Sequence, residues 1–254
     1  MLFRSVHFMG ETAKILNPSK KVLVPDLAAG CSLADSCPAD KFEEFVKAHP
    51  EHMVISYVNT TAAVKVLTDV VVTSTNAKKI IEQFPKDAKL IFGPDRNLGN
   101  YINSVTGRSM LLWNGACHVH EQFSLEKLLK LKETYPEALV LAHPECKQQV
   151  LMVSDYIGST QALLNYATDS DKKEFIVATE SGILHEMQKK NPDKIFIPVP
   201  PNDSTCACNE CEFMRLNTLE KVYKCLCDEQ PEILVEEEVR EKAVKSILRM
   251  LEMS

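Results

Sequence analysis

Three cysteines, Cys31, Cys117 and Cys211, stand in three separate loops, 86 and 94 residues apart. A short apolar run precedes each: Val22-Leu23-Val24 before Cys31, Met110-Leu111-Leu112-Trp113 before Cys117 and Ile195-Phe196-Ile197 before Cys211. One thiol per strand-and-loop unit is a way for a repeated α/β fold to build one shared metal site. Three thiolates leave a fourth metal position open, and an open position is where chemistry happens. A second grouping competes for the same role. Cys206-Ala-Cys208-Asn-Glu-Cys211, followed by Cys225 and Cys227, has the density of a small zinc knot or an iron–sulfur loop. Its spacing is not that of a zinc ribbon, and Cys225 and Cys227 fall in a helical segment that points them to different faces.

Polar residues near other apolar runs add acid–base and anion-binding options. His143-Pro144-Glu145 follows Ala138–Ala142, and a His and a Glu together at a strand's carboxyl end form a candidate acid–base pair. Either residue alone would be an ordinary solvated loop residue. Tyr57 and Asn59 alternate on a strand expected to end at Asn59, so they face one side, although Tyr57 also suits core packing. Ser74-Thr75-Asn76 and Gly158-Ser159-Thr160 each precede a helical segment. Such residues cap helices, and helix N-termini after strands also hold anions. His118 and His120, at i and i+2 in what reads as an extended segment, could share a metal. Alternatively one faces solvent and the other bonds the backbone.

The composition is that of a globular chain: 254 residues, 45% apolar, 25% charged, net charge −6. A duplex nucleic-acid partner would favour a basic surface instead. No apolar run reaches the ~20 residues of a membrane helix. MLFRSVHFMG lacks the apolar length and cleavage pattern of a signal peptide. Nine cysteines without such a signal point to metal or redox chemistry in a reducing cytoplasm rather than to a disulfide scaffold.

Elements must place these residues. Near-continuous apolar runs predict strands at 21–25, 53–58, 70–73, 90–92, 110–113, 138–142, 175–178 and 195–199. Runs of this kind belong to strands covered on both faces, hence to parallel sheets with helices on each side. Helical periodicity predicts helices at 39–48, 76–83, 98–106, 125–135, 147–153, 182–190, 216–227 and 235–250. Phe3, Val6 and Phe8 read as one further strand with exposed apolar surface. VLVPDLAAGC, LIFGPDRNLG, LVLAHPEC and IFIPVPPNDSTC echo one another as strand, proline-containing turn and polar loop. In open α/β sheets ligands bind beyond the carboxyl ends of strands, where these loops lie.

Taken in order, HFMGETAKILNPSKKVLVPD, AAGCSLAD, YVNTTAAVK, TSTNA, IFGPDRNLG, NGACHVHEQF, HPEC, YIGSTQ, ATESGILH, NTLEKV and ILRML resemble the quinolinate synthase family over nearly the whole chain. The resemblance implies three similar three-layer α/β domains with short parallel sheets about a pseudo-threefold axis. By this resemblance residues 1–31 and 213–254 would form an incomplete first domain, 32–116 a second and 117–212 a third. It implies a 4Fe-4S cluster on Cys31, Cys117 and Cys211, with one open iron acting as a Lewis acid. Cys146 matches no ligand. Cys206 and Cys208 resemble a redox pair of some members, but their spacing would strain a mutual disulfide.

The implied reaction condenses iminoaspartate with dihydroxyacetone phosphate to quinolinate, losing phosphate and water, in cytoplasmic NAD biosynthesis. L-Aspartate oxidase would be the source of iminoaspartate. Tyr57, Glu145 and His143 would be catalytic, and Asn59, Ser74, His143, Ser159 and Thr160 would hold substrate oxygens. Family members carry further sequence ahead of the HFM segment, with His-Asn-Tyr and Gly-Asp-Ser motifs, so the chain is expected to be N-terminally truncated. A non-catalytic cysteine-rich zinc or redox protein, and an inactive truncated relative, are the competing readings.

Overall fold

Strand β1 (Leu2–Phe3) is followed by helix α1 (His7–Leu16), β2 (Val22–Leu23), α2 (Ser32–Asp35) and α3 (Ala39–Lys47). Then come β3 (Met53–Tyr57), α4 (Ala62–Val66), β4 (Val70–Val72), α5 (Ala77–Glu82), β5 (Leu90–Gly93), α6 (Arg96–Thr106) and β6 (Leu111–Leu112). The chain continues through α7 (His118–Glu121), α8 (Leu125–Thr134), β7 (Leu139–Ala142), α9 (Gln148–Met152), β8 (Tyr156–Ile157), α10 (Thr160–Asp169), β9 (Glu174–Ala178), α11 (Ile183–Lys190) and β10 (Ile195–Pro198). It ends with α12 (Glu212–Arg215), α13 (Leu219–Asp228) and α14 (Glu237–Met253). The structure is a computed structural model that describes residues 1–3, 5–202 and 210–254, the side chain of Phe3 excepted. Met1–Gly115 with Glu212–Ser254 form one unit, and Ala116–Cys211 form a second.

Each unit contains a four-stranded parallel sheet: β4-β3-β5-β6 in the first and β10-β9-β7-β8 in the second. Counted along the chain, both have the order second, first, third, fourth. The register agrees as well. Ile55 pairs with Val70 and Leu141 with Tyr156, at the same sequence spacing. In both units an aspartate just before the second strand accepts the N–H of a residue on the first: Asp69 from Val54 at 2.8 Å, Asp155 from Val140 at 2.7 Å, each pair 15 positions apart. That carboxylate satisfies a strand N–H that the neighbouring ladder does not reach. The two-stranded parallel sheet β1-β2 in the first unit pairs Leu2 with Val22, the same spacing as Ile91 with Leu111 between β5 and β6.

The inner strands are apolar on both faces because helices cover both faces. Val70, Val71 and Val72 are fully buried, and α14 lays Ala243 and Ile247 against Val71, Ala62 and Ile15. On the other side α6 approaches β5 and β6 so closely that a Cβ on Gly99 would lie 2.7 Å from Leu112 Cδ2. In the second unit Leu163 and Ala167 of α10 and Met187 of α11 pack with Leu141, Phe175 and Val177. Each buried Val, Leu, Ile, Phe or Met side chain among these contributes roughly 1.5–3 kcal/mol by leaving water. No helix of the described residues is long and apolar enough to cross a membrane.

Several local expectations need correction. Val6 and Phe8 are not on a strand: β1 ends at Phe3, Phe8 lies on α1, and both pack at 5% exposure against Ala29. The alternation of three apolar residues imitated a strand, whereas Phe8 and Ile15, seven positions apart, share a buried face of α1 and Ala13 packs into a separate cluster. β3 ends at Tyr57, so Asn59 is in the following bend rather than alternating with Tyr57 on a strand. His118 and His120 are helical, on α7, rather than extended. Ser74 does not cap α5. Asn76 holds the cap position, and its Oδ1 accepts from Thr73 N and Thr73 Oγ1 at 2.7 and 3.0 Å. Cys206 and Cys208 lie outside the described residues, whereas Cys225 is buried and Cys227 exposed on opposite sides of α13.

Candidate functional site

In the second unit the site is built at the carboxyl edge of β7, β8 and β9. These strands are parallel neighbours, so the residues that follow them share one edge of the sheet. His143 and Glu145 follow β7, Ser159 and Thr160 follow β8, and Thr179 follows β9. His143 and Glu145 are buried, at 4% and 3% exposure. His120 reaches them from α7. Its Nδ1 lies 3.3 Å from Glu145 Oε2, and its Nε2 lies 3.2 Å from Thr179 Oγ1. The imidazoles of His120 and His143 lie 5.0 Å apart, ring centre to ring centre.

The proton positions follow from the donors. Glu145 N–H donates to His143 Nδ1 at 3.4 Å, so this nitrogen carries no proton and the ring is neutral. Burial pushes the His143 pKa down to about 4, against the pull of Glu145, with His120 lowering it further. His143 Nδ1 is also 3.5 Å from Glu145 Oε1. The carboxylate of Glu145 thus lies between two imidazole nitrogens, one on each oxygen. His120 Nδ1 is buried and makes no hydrogen bond, so the Glu145 carboxylate is close to both rings without being hydrogen-bonded to that nitrogen.

Cys117 completes this corner. It occupies the N-cap of α7, and its sulfur, a His120 nitrogen and a Glu145 oxygen lie within 4.8 Å of one another. Cys117 and His120 share a face because they are three positions apart on a helical turn. Two residues upstream, in the first unit, Gly115 has no room for a side chain, since a Cβ would lie 2.6 Å from Pro94 O. Ser159 caps α10, its Oγ accepting from Ala162 N at 3.3 Å, and Thr160 is exposed on the first turn.

In the first unit Tyr57 ends β3 at 6% exposure, Asn59 lies half-buried in the next bend, and Ser74 lies half-buried beyond β4. β3 and β4 are parallel neighbours, so these residues occupy the edge that matches the one described for the second unit. The Val58–Thr60 bend is held from inside. The fully buried Lys65 of α4 donates to Val58 O at 2.9 Å, to Thr60 Oγ1 at 3.2 Å and to Thr60 O. Burial lowers its pKa to about 7, with Glu11 pulling the other way.

The cysteines divide into two kinds. Cys31, Cys117 and Cys211 are half-buried thiols, and each immediately precedes a four-residue helix, α2, α7 and α12 respectively. Each also follows the last strand of its sheet in chain order: β2, β6 and β10. Cys37, Cys146 and Cys225 are buried. Burial pushes the Cys37 thiol up to about 12. Cys146 donates to Ala178 O at 3.3 Å and Cys225 to Val24 O at 3.4 Å. Thiols committed to core carbonyls are poor metal ligands, whereas half-buried thiols remain within reach of a metal.

The sequence pointed to Cys31, Cys117, Cys211, His143, Glu145, Tyr57, Asn59, Ser74, Ser159 and Thr160. Of these, the second unit brings Cys117 and Glu145 to one point, with His143 on the other carboxylate oxygen. The residue that sequence reasoning undervalued is His120. Read as helical, the spacing from Cys117 to His120 would have put both on one face.

Comparison with known proteins places the chain in a family. The family model described as quinolinate synthetase A protein matches residues 1–252. The chain is 60% identical to a protein named quinolinate synthase from Thermosynechococcus vestitus, over 100% of this chain and 80% of that protein. It is 58% identical to proteins of the same name from Chloroherpeton thalassium and Synechocystis, covering 79% and 80% of their lengths. With the family model matched over residues 1–252 and relatives this similar over their shared length, the chain belongs to the quinolinate synthetase A family.

Proposed function

We propose that the chain is a quinolinate synthase that condenses iminoaspartate with dihydroxyacetone phosphate, releasing phosphate and water. The observation that carries this reading is the common setting of Cys31, Cys117 and Cys211: three half-buried thiols, each before a four-residue helix and beyond the last strand of a sheet. That setting fits ligands of one 4Fe-4S cluster, and the buried Cys37, Cys146 and Cys225 do not share it. When bound, a cluster with three protein ligands supplies a Lewis acid at its open iron.

The chain's own residues would orient substrate and move protons. Glu145 would exchange a proton with substrate, with His120 Nδ1 3.3 Å away but not hydrogen-bonded to it. Neutral His143 would offer its Nε2–H to a substrate oxygen and would not compete as a cation. Tyr57 would serve as a second proton donor. Asn59, Ser74, Ser159 and Thr160 would hold carboxylate and phosphate oxygens at the strand edges. The strand order repeated in two sheets fits a chain built of α/β repeats, which this reading takes as three: 1–31 with 213–254, 32–116 and 117–212. The reading also implies a cytoplasmic setting and a supply of iminoaspartate by an L-aspartate oxidase.

The test is anaerobic assay of iron- and sulfide-loaded protein with both substrates, with quinolinate as the expected product. Failure of fully loaded protein to form quinolinate contradicts the proposal. One observation favours a second reading. Cys117, His120 and Glu145 alone offer a thiolate, an imidazole and a carboxylate to a single zinc. A colourless protein holding one zinc, lost on His120→Gln, would support that reading instead.

A further inference from the structure

A second group of metal-ligating side chains lies in the first unit, on the turn between α3 and β3. The segment is His49-Pro50-Glu51-His52. One ligand atom from each of His49, Glu51 and His52 lies within 4.8 Å of the other two. The turn is fixed by the backbone: His49 N donates to Val46 O and His52 N to His49 O, each at 3.0 Å. The two imidazoles stand nearly perpendicular, with ring centres 5.4 Å apart, and His49 also packs edge-on against Phe45. The three side chains therefore converge on a rigid corner.

The contact between His52 and Glu51 is informative. His52 Nδ1 lies 3.2 Å from Glu51 Oε1. Yet Nδ1 is buried from water and makes no hydrogen bond. Two polar atoms so close, with no hydrogen bond at the imidazole nitrogen, are spaced as two ligands of one ion would be. Ligands around a tetrahedral zinc, at about 2.0–2.1 Å from the metal, are about 3.3 Å apart. A buried imidazole nitrogen left unpaired costs roughly 1–3 kcal/mol, which a bound cation would recover.

We propose that His49, Glu51 and His52 form a binding site for a divalent transition-metal ion of the zinc class, separate from the cysteine sites. Two imidazoles and a carboxylate suit zinc, cobalt or nickel, whereas calcium and magnesium prefer all-oxygen shells. Glu51 is 46% exposed, so solvent fills the remaining coordination. The ion would tie the end of α3 to the start of β3. Lys89 Nζ lies 3.5 Å from the same Glu51 oxygen and opposes a cation there.

The test is a zinc titration of the whole chain followed by imidazole C–H NMR, with His49→Gln and His52→Gln variants assigning the signals. This readout distinguishes the turn from zinc taken up by cysteines. The expected result is a saturable shift of the His49 and His52 signals together. Either substitution should weaken that event by at least about tenfold. Lys89→Met should strengthen it several-fold by removing a neighbouring positive charge. The proposal is overturned if the His49 and His52 signals stay fixed up to about 1 mM free zinc, far above the range of a built site. It is also overturned if His52→Gln titrates like the parent, or if Lys89→Met leaves the affinity unchanged.

Discussion

Lys65→Met tests whether burial at the Val58–Thr60 bend keeps the Lys65 amine neutral above about pH 7. Lys65 is completely buried, and its contacts are three oxygens of that bend. Burial lowers its pKa from 10.5 to about 7. Between those values the unfolded chain binds a proton that the folded chain does not, so this residue's contribution to stability rises with pH. The gain is complete above the unfolded value and lost as pH falls through about 7. Each pH unit within the window is worth about 1.36 kcal/mol, so moving from about pH 7 to about pH 9.5 should add about 3 kcal/mol. Met fills a similar volume and does not titrate. Urea unfolding of parent and variant, compared at each pH, cancels the other titrating groups. The stability of the parent relative to the variant should climb by about 3 kcal/mol across that range. A flat difference would refute the reasoning, because it would mean that the three oxygens replace water completely for the charged amine.

Other substitutions separate structural from chemical roles. Ser159→Ala removes the cap bond to Ala162 and should cost about 1 kcal/mol in thermal or urea unfolding. Ser74→Ala should cost under about 0.5 kcal/mol, since Ser74 caps nothing. Glu145→Gln should leave iron content unchanged and lower turnover about 10²–10⁴-fold in steady-state kinetics. Near-parental turnover would move the proton transfers to Tyr57 or His120. Gly99→Ala forces a Cβ against Leu112 at 2.7 Å and should destabilise by about 1–3 kcal/mol, measured by urea midpoint.

The strands were legible because covered parallel strands are apolar on both faces, and runs such as Val70–Val72 or Leu90–Phe92 have no other use. Short elements were harder. α4 has five residues, two of them valine, and is held by packing and by the Thr61 cap rather than by propensity. α2, α7 and α12 are single turns of four residues, below the length at which periodicity can be seen. That is why His120 was misjudged: in an extended segment it points away from Cys117, and in one helical turn it shares its face. The role of Lys65 was hidden too. A lysine in YVNTTAAVK reads as surface charge, and only the closed bend reveals three oxygens waiting for it.

The most direct test is the metal content of anaerobically loaded protein in which each cysteine is replaced singly by serine. The parent should hold about four irons and about four acid-labile sulfides per chain. Cys31→Ser, Cys117→Ser and Cys211→Ser should each lose that iron, while Cys146→Ser, whose buried thiol bonds Ala178 O, should retain it. Full iron and sulfide in any of the first three variants, or their loss in Cys146→Ser, would contradict the assignment.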